Sequence, residues 1–302
     1  MQVVRRTLFE GELLQAVHAR ARPSLQRQGD IDRQSVNVLV LPLAGVFAMH
    51  DGPRTHAIAT PNHAVIVAAN RPYRMTLPTE TGDECLTLRF CASALARLVP
   101  EAMCGDGFDL CTFESCAPLT PEILLARSLL WRRLAGGEWD PLEVEEAGVG
   151  LLVGALYAAH KDGRAWNRTT RRERSARRLR QVGRAMEQVL AHPDRKWTLD
   201  ALATLACLSP WHFARVFREE AGVSVYRYVL RTRLAKALDA VLDTDSDLST
   251  IAHETGFASH SHFTSRFRAQ FGMTPVELRR KASRRAAAEV RKIVTARASA
   301  AA

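Results

Sequence analysis

Residues 202–222, LATLACLSPWHFARVFREEAG, place a serine-proline pair in the middle of a run of helix-forming residues. Proline disrupts the interior of a helix, but it is tolerated at the first helical position, where its missing N–H has no intrahelical partner. Serine is favoured immediately before a helix, where its hydroxyl accepts a bond from a first-turn amide. Ser209 and Pro210 therefore predict the end of one helix and the start of another.

A similar pattern returns in residues 251–272, IAHETGFASHSHFTSRFRAQFG. Ala203 matches Ala252 at an offset of 49, whereas Phe213 matches Phe263 at an offset of 50, so one inserted residue accounts for the change. Two copies are too few for a solenoid, which needs several repeats to bury a core. The pattern instead predicts a pair of helix-turn-helix units.

The second helix of the first unit is predicted to have two faces, because side chains on one side of a helix recur every 3–4 residues. The inner face carries Phe213, Val216 and Phe217, and the outer face carries Trp211, Ala214, Arg215 and Arg218. Arginine can bond two acceptors of guanine in the major groove, and tryptophan can contact a thymine methyl group or a sugar. The alternative is that the tryptophan covers a neighbouring element and the arginines are solvated charges.

The second unit keeps an aromatic inner face but has a different outer face. Its inner side chains are Phe263, Phe267 and Phe271, and its outer ones are His260, Ser261, Thr264, Ser265 and Arg268. Because these outer side chains are mostly short and uncharged, we expect the first unit to discriminate bases and the second to position phosphates.

A predicted helix of roughly 17 residues joins the two units, which is about 25 Å at 1.5 Å per residue. It lies within residues 224–245, SVYRYVLRTRLAKALDAVLDTD. Successive major grooves are about 34 Å apart, so this spacer predicts some bending of the bound DNA.

The excess of positive charge is confined to the same part of the chain. Residues 171–302 contain 25 Lys and Arg against 13 Asp and Glu, whereas residues 1–170 contain 17 against 19. This asymmetry favours a polyanion-binding end and a regulatory end, since basic side chains that neutralise phosphates release counterions. The alternative is that the arginines only keep the helix surfaces solvated and bind no polyanion.

Residues 179–280 resemble the C-terminal domain of AraC/XylS-type transcriptional regulators. The resemblance rests on LDALATLACLSPWHFARVFREEAGVSVYRYVLRTRLAKAL and LSTIAHETGFASHSHFTSRFRAQFGMTPVELRR. It implies base contacts by Trp211, His212 and Arg215 in the first unit and by His260, Ser261 and Ser265 in the second. With the flanking caps and basic side chains, the predicted DNA-binding residues are Ser209, Trp211, His212, Arg215, Arg218, Ser259, His260, Ser261, Ser265 and Arg268.

The N-terminal part is predicted to be β-rich over residues 36–90, where short apolar or alternating runs are separated by turn signals. Thr120-Pro121 and Asp140-Pro141 then start two helices, and the apolar stretch LLVGALYAAH lies in the second. That stretch is either buried in its own domain or used for dimerisation. The region is loosely similar to the cupin-type sensing domain that accompanies this DNA-binding domain.

The fold class predicted is α+β, with a small antiparallel β sandwich or barrel and a helical hairpin, followed by an all-α domain with two helix-turn-helix units. The predicted divisions are a sensing and dimerisation domain at 1–165, a basic linker at 166–178, a DNA-binding domain at 179–282 and a basic tail at 283–302.

The sequence predicts no catalytic residues, cofactor or metal. None of the six cysteines forms a C-x-x-C pair, and His50, His56 and His63 are scattered rather than paired. Cys104, Cys111 and Cys116 keep a redox or soft-metal sensor open as a weak alternative. If a pocket lies inside the sheet, Arg71 and Tyr73 are candidates to face an acidic or aromatic effector.

The predicted function is therefore a sequence-specific transcriptional regulator that answers to a small-molecule effector. Its expected partners are double-stranded promoter DNA, the effector, RNA polymerase and a second copy of the chain, and its expected location is the cytoplasm. The alternatives are a DNA-repair or thiol-sensing enzyme fused to a DNA-binding unit, and an architectural DNA-bending protein. An architectural protein is distinguished from a regulator by comparing its affinity for a specific DNA sequence with its affinity for unrelated DNA.

Overall fold

The computed structural model describes residues 2–22, 28–50, 56–91, 116–137, 139–170 and 176–282. Within these ranges the chain forms strands first and helices afterwards, in the α+β arrangement that the sequence predicts. The predicted basic tail, 283–302, and the cysteines Cys104 and Cys111 lie outside the described residues.

The strands begin much earlier than the sequence indicated, because β1 and β2 pair along residues 2–22, which carry many charged side chains. Their bounds are β1 Gln2–Glu10, β2 Leu14–Arg22, β3 Gln28–Arg33, β4 Asn37–Gly45, β5 Phe47–His50, β6 Ala57–Ala59, β7 His63–Val67, β8 Pro72–Thr76, β9 Asp83–Phe90 and β10 Cys116–Pro118.

The strands form two antiparallel sheets, one of six strands in the order β1-β2-β9-β4-β7-β10 and one of four in the order β3-β8-β5-β6. Alternate residues of a strand face opposite sides, so the side chains of each strand in the larger sheet contribute to two apolar clusters, one on each face. On β4, Leu39 and Leu41 pack towards helices, whereas Val38 belongs to the apolar cluster between the sheets. The larger sheet is thus covered on both faces.

Two helices, α1 (Pro121–Gly136) and α2 (Pro141–Thr170), cover the outer face of the larger sheet. Thr120 caps α1, as predicted, by accepting a bond from the Ile123 amide at 3.4 Å. The side chains Leu151, Leu152, Ala155 and Leu156 of α2 are all buried in their own chain. The apolar stretch is therefore used for intramolecular packing, one of the two options that its sequence left open.

Close packing at two points holds these helices on the sheet. A side chain at Gly148 would meet Leu14 of β2 at 2.3 Å, so glycine lets α2 approach the sheet directly. On α1, the buried guanidinium of Arg127 donates to the carbonyls of Pro42 at 2.8 Å and Pro61 at 2.6 Å. Further along, α2 continues to Thr170, into residues that the sequence assigned to the basic linker.

The C-terminal part is helical throughout its described residues. The helices are α3 Ala176–Ala191, α4 Leu199–Leu205, α5 Pro210–Ala221, α6 Val225–Asp243, α7 Leu248–Glu254, α8 His260–Phe271 and α9 Pro275–Ala282. The pairs α4–α5 and α7–α8 are the two predicted helix-turn-helix units, and α6 joins them. With 19 residues, α6 is about 28 Å long at 1.5 Å per residue.

The helical part packs directly on the N-terminal part. At the first unit, His56 Nε2 lies 3.4 Å from the Glu220 carboxylate of α5, and these side chains are 3% and 1% exposed. At the joining helix, Asn62 donates to Thr232 at 3.4 Å and Ser128 donates to Asp239 at 2.8 Å. The two parts therefore share an interface that reaches from α5 to α6.

Candidate nucleic-acid interface and sheet cavity

The turn of the first unit follows from local chemistry. Thr198 caps α4 by accepting a bond from the Ala201 amide at 3.1 Å. The helix ends at Leu205, and Cys207 in the turn that follows has a φ of 53°, in the left-handed region. This conformation lets the Leu208 amide bond back to the Ala203 carbonyl at 3.0 Å, as at many helix ends.

The turn of the second unit has the same geometry built from different residues. Asp247 caps α7 through the Ser249 amide at 3.0 Å. Gly256 adopts a φ of 83° where the first unit has Cys207. The Phe257 amide bonds the Ala252 carbonyl at 2.9 Å, so both turns close in the same way.

In the first unit, α5 has the two faces that its periodicity predicts. Phe213, Val216 and Phe217 are buried, and the rings of Phe213 and Phe217 lie 5.5 Å apart. Trp211 on the opposite face is 75% exposed. The ring is therefore accessible for the DNA contact that the sequence predicts.

Arg215 is held in place on this outer face by two neighbours. Its guanidinium carbon lies 5.6 Å from the centre of the Trp211 ring, a cation–π contact. Its Nη1 lies 3.6 Å from the Glu219 carboxylate, which also pairs with Arg178 of α3 at 3.7 Å. The sequence reasoning missed Glu219 and Arg178, although the i,i+4 spacing of Arg215 and Glu219 was a readable signal.

In the second unit, α8 buries a stack of aromatic rings. Phe263 and Phe267 lie 5.5 Å apart, and Phe267 and Phe271 lie 4.6 Å apart. The opposite face borders an open groove, which is lined by His260, Ser261, Thr264, Ser265, Arg268, Ala269, Gly272 and Thr274. Most of the predicted contact residues of this unit therefore line one concave surface.

The N-caps of the two outward helices differ. Ser259 accepts a bond from the His262 amide at 3.1 Å, as a capping serine should. Ser209 occupies the N-cap position of α5, but its side chain makes no capping bond. The predicted position of Ser209 before the helix is confirmed, whereas the predicted capping hydrogen bond is wrong.

The structure leaves the predicted DNA-binding residues accessible. His212 is half-buried, and the other nine are exposed: Ser209, Trp211, Arg215, Arg218, Ser259, His260, Ser261, Ser265 and Arg268. These positions stay predictions for DNA contact.

A second candidate site is a cavity of about 320 Å³ between the two sheets. Its walls are mostly apolar, and its polar lining side chains include Arg5, Asp32, Gln34, Tyr73, Asp83 and Arg89. Tyr73, one of the residues proposed for effector contact, lines the cavity. Arg71 is absent from the described lining residues, because it lies in the turn before β8, where its amide bonds the Ala68 carbonyl at 3.3 Å.

Two histidines of the N-terminal part lie where the two parts of the chain meet. His56 and His63 are both buried near the interface between the two parts. Burial lowers the pKa of His63 to about 4, helped by the charge of Arg231, so this ring is neutral at pH 7. Among the described residues, no cluster of His, Cys, Asp and Glu is arranged to hold a metal ion. No helix among the residues that the structure describes is long and apolar enough to span a membrane.

Comparison with known families places a match in the C-terminal part. A family model described as a helix-turn-helix domain matches residues 202–281. The RCS-specific HTH-type transcriptional activator RclR of Escherichia coli K12 is 32% identical over 100 residues, covering 33% of this chain and 35% of that protein. The HTH-type transcriptional regulator GlxA of Rhizobium meliloti is 29% identical over 156 residues, covering 48% of each.

Other similar proteins cover the same region. The right origin-binding protein of Escherichia coli K12 is 35% identical over 89 residues, covering 30% of this chain and 31% of that protein. A solved AraC-type transcriptional regulator from Chromobacterium violaceum is 26% identical, covering 34% of this chain and 93% of that chain with a TM-score of 0.33. The chain thus spans between 31% and 48% of the length of these three curated relatives.

Proposed function

We propose that this chain, whose residues 202–281 form an AraC/XylS-type helix-turn-helix domain, is a sequence-specific transcriptional regulator that responds to a small molecule. The chain binds double-stranded promoter DNA through α5 and α8. The observation that carries the proposal is the shared build of these two helices. Each buries its aromatic face in the protein and leaves the opposite face to solvent.

The two outward faces suit different tasks on DNA. Arg215 and Trp211 of α5 offer a bidentate donor and a flat apolar surface, which read base edges. Ser261 and Ser265 of α8 have short reach, and Arg268 beside them suits a phosphate. Readout therefore comes mainly from the first unit, and the second unit fixes the position of the protein on the duplex.

The length of α6 sets the spacing of the two contacts. At about 28 Å it is shorter than the ~34 Å between successive major grooves of straight DNA. Bending the DNA towards the protein shortens this separation, at a cost of a few kcal/mol that additional contacts offset. The bound DNA is therefore expected to be bent.

The small-molecule response is assigned to the cavity, because strand β5 connects it to the DNA-binding domain. Phe47 and Met49 face the cavity, while Ala48 of the same strand and Val46 just before it belong to the apolar core that includes Phe213 of α5. Alternate side chains of one strand thus contact the ligand space and the first helix-turn-helix unit. A ligand that moves β5 changes the packing under α5, and so shifts the population of the DNA-binding arrangement.

Selection of bound sequences from random double-stranded DNA by the full-length protein tests this function. We expect a bipartite sequence with two half-sites about 10 base pairs apart, bound at least ~10³-fold more tightly than unrelated DNA at a stated salt concentration. Equal affinity for all sequences would instead identify an architectural DNA-bending protein.

A charge-matched pair of variants shows whether the predicted face makes the contact. Arg215→Ala is expected to weaken binding to the selected sequence and to relax preference at one base pair. Arg6→Ala removes the same charge from the exposed surface of β1 and is expected to leave binding almost unchanged. If both variants weaken binding equally on every sequence, the contribution of Arg215 is only its charge.

The proposal also includes the assembly and location in which such a regulator acts. A homodimer would place two copies of the bipartite site side by side in promoter DNA, and control of transcription there involves contact with RNA polymerase in the cytoplasm. Sedimentation of the protein with and without its selected DNA measures the assembly, and co-purification with RNA polymerase measures the contact. A monomer on DNA would remove the homodimer from the proposal.

A further inference from the structure

The polar side chains of the sheet cavity are concentrated at opposite ends of strand β9. Asp83, Cys85, Thr87 and Arg89 alternate along this strand and all line the cavity. Because a strand rises about 3.4 Å per residue, the Asp83 and Arg89 backbone positions are about 20 Å apart. The two ends therefore present separate chemical environments to a ligand.

At one end, the polar groups satisfy one another. Arg89 donates to the Gln34 amide oxygen at 2.9 Å, and the Gln34 amide nitrogen donates to the Tyr73 hydroxyl at 2.8 Å. That hydroxyl donates in turn to the Asp32 carboxylate at 2.9 Å. Gln34, Tyr73, Asp32 and Arg89 therefore already have partners in this network. Arg5 of β1 also lines the cavity, level with Cys85 because Arg5 pairs with Ala19 and Ala19 pairs with Cys85.

At the other end, Asp83 is incompletely satisfied. Its side chain is buried, and its Oδ2 accepts a bond from the Cys85 thiol at 3.1 Å. Burial raises the pKa of that thiol, so the sulfur keeps its proton and remains the donor. The second oxygen, Oδ1, is buried and has no hydrogen-bond partner among the described residues.

The residues level with Asp83 on the neighbouring strands are apolar. Val3 pairs with Ala21, and Ala21 pairs with Asp83, so the neighbours across the sheet are apolar. Phe47 and Met49 of the opposite sheet also line the cavity. A buried carboxylate oxygen in such surroundings costs free energy unless a donor or a cation reaches it.

We propose that the effector of this cavity is an amphipathic amine, whose ammonium group binds Asp83 and whose apolar body lies against Phe47 and Met49. The inference rests on the proposed function, which assigns the cavity to the effector. An ammonium group beside the Asp83 side chain neutralises the charge of the buried carboxylate, as in other charge-assisted pairs. An organic anion would instead meet like charge at this end.

Binding of 2-phenylethylamine and of its alcohol analogue, 2-phenylethanol, to the full-length protein tests the assignment. Calorimetry at pH 7.5 is expected to give at least tenfold tighter binding for the amine. Phenylacetate, the anionic analogue, is expected to bind more weakly than the alcohol. If the amine binds no more tightly than the alcohol, or if none of the probes binds, the assignment is wrong.

A matched pair of variants localises the contact. Asp83→Asn keeps the size of the side chain and removes its charge, so amine binding is expected to fall at least tenfold while alcohol binding changes little. Glu84→Gln removes the neighbouring charge, which pairs with His18 and Arg20 outside the cavity, and is expected to keep amine binding. Equal amine binding by Asp83→Asn and the unaltered protein would overturn the assignment.

The pH dependence of amine binding offers a readout that needs no variant. Burial raises the pKa of Asp83 to about 6, so the carboxylate that binds an ammonium group is lost as the pH falls from 7.5 to 5. The other ionisable groups that line the cavity are Arg5 on β1, Asp32 on β3, Tyr73 on β8, and Cys85 and Arg89 on β9. Amine binding is expected to weaken at least fivefold over this interval, and constant amine binding would contradict the assignment.

DNA binding, measured separately by fluorescence anisotropy on the selected sequence, distinguishes the two possible failures. Specific DNA binding without preference for the amine overturns only the effector assignment. Preference for the amine without specific DNA binding overturns the proposed regulator function and leaves the assignment of the amine site unchanged.

Discussion

The outer helix of the first helix-turn-helix unit exposes a tryptophan with two arginines, whereas that of the second exposes two serines and two histidines with two arginines. Beneath these faces the two units are alike. Phe213 and Phe217 occupy the same positions as Phe263 and Phe267, and all four rings are buried. The two units thus share these buried aromatic positions, which we call the shared frame, and differ in their exposed side chains. Packing restricts buried side chains far more than exposed ones.

The two units also differ in what they pack against. The Glu220 carboxylate at the end of α5 meets His56 of the N-terminal part, and the apolar core of α5 includes Ile58 of β6. The second unit packs instead near α1, which lies on the far side of the larger sheet from the cavity. The first unit, which carries the residues best suited to base readout, is therefore also the one nearest to β5 and the cavity.

The largest expected effect tests the shared frame. Phe213→Ala and Phe263→Ala each remove a ring that is 0% exposed, and each is expected to lower the free energy of unfolding by about 3–5 kcal/mol. Chemical denaturation of each variant measures the loss. Two losses that differ by more than about 2 kcal/mol would show that the frames are not equivalent.

The next effect tests the difference between the outer faces. Arg215→Ala is expected to cost about 1–3 kcal/mol of binding free energy on the selected DNA and to relax one base preference. Ser265→Ala, the change at the corresponding position of the second unit, is expected to have a smaller effect on base preference. Competition binding with single-base variants of the DNA measures both. A larger loss of base preference in Ser265→Ala would reverse the ranking of the units.

A third comparison concerns the left-handed residue in each turn. A side chain at Gly256, with φ 83°, would lie 2.7 Å from the Pro193 carbonyl, so Gly256→Ala is expected to cost about 1–3 kcal/mol of stability. Cys207 already holds a side chain at φ 53°, so Cys207→Ala is expected to change stability by less than about 1 kcal/mol. Thermal unfolding of both variants provides the measurement, and equal losses would contradict the structural difference.

The smallest effect separates the two N-caps. Ser259→Ala removes a capping hydrogen bond and is expected to cost about 1 kcal/mol. Ser209→Ala removes a hydroxyl that makes no such bond, so its expected cost is only a few tenths of a kcal/mol. Denaturant titration resolves this difference if both proteins share one slope. A Ser209→Ala loss as large as that of Ser259→Ala would indicate that Ser209 caps α5 in solution.

The helices of this protein could be predicted from the sequence because their boundaries depend on nearby residues. Capping residues, prolines at first helical positions and residues at the turns lie within a few positions of the boundaries that they determine, so Thr120, Thr198 and Asp247 mark real helix starts. The inner and outer faces of α5 and α8 follow from helical periodicity in the same way. The repeat then identified both units without any knowledge of their packing.

Strands and sites that depend on distant partners were decided only by the tertiary structure. Strands β1 and β2 are rich in charged residues and gain their order from pairing with each other and with β9, which no local pattern specifies. The contact of His56 with Glu220 likewise joins residues far apart in the sequence. So does the cavity that surrounds Asp83, because a buried site is formed by side chains that the fold brings together from several strands.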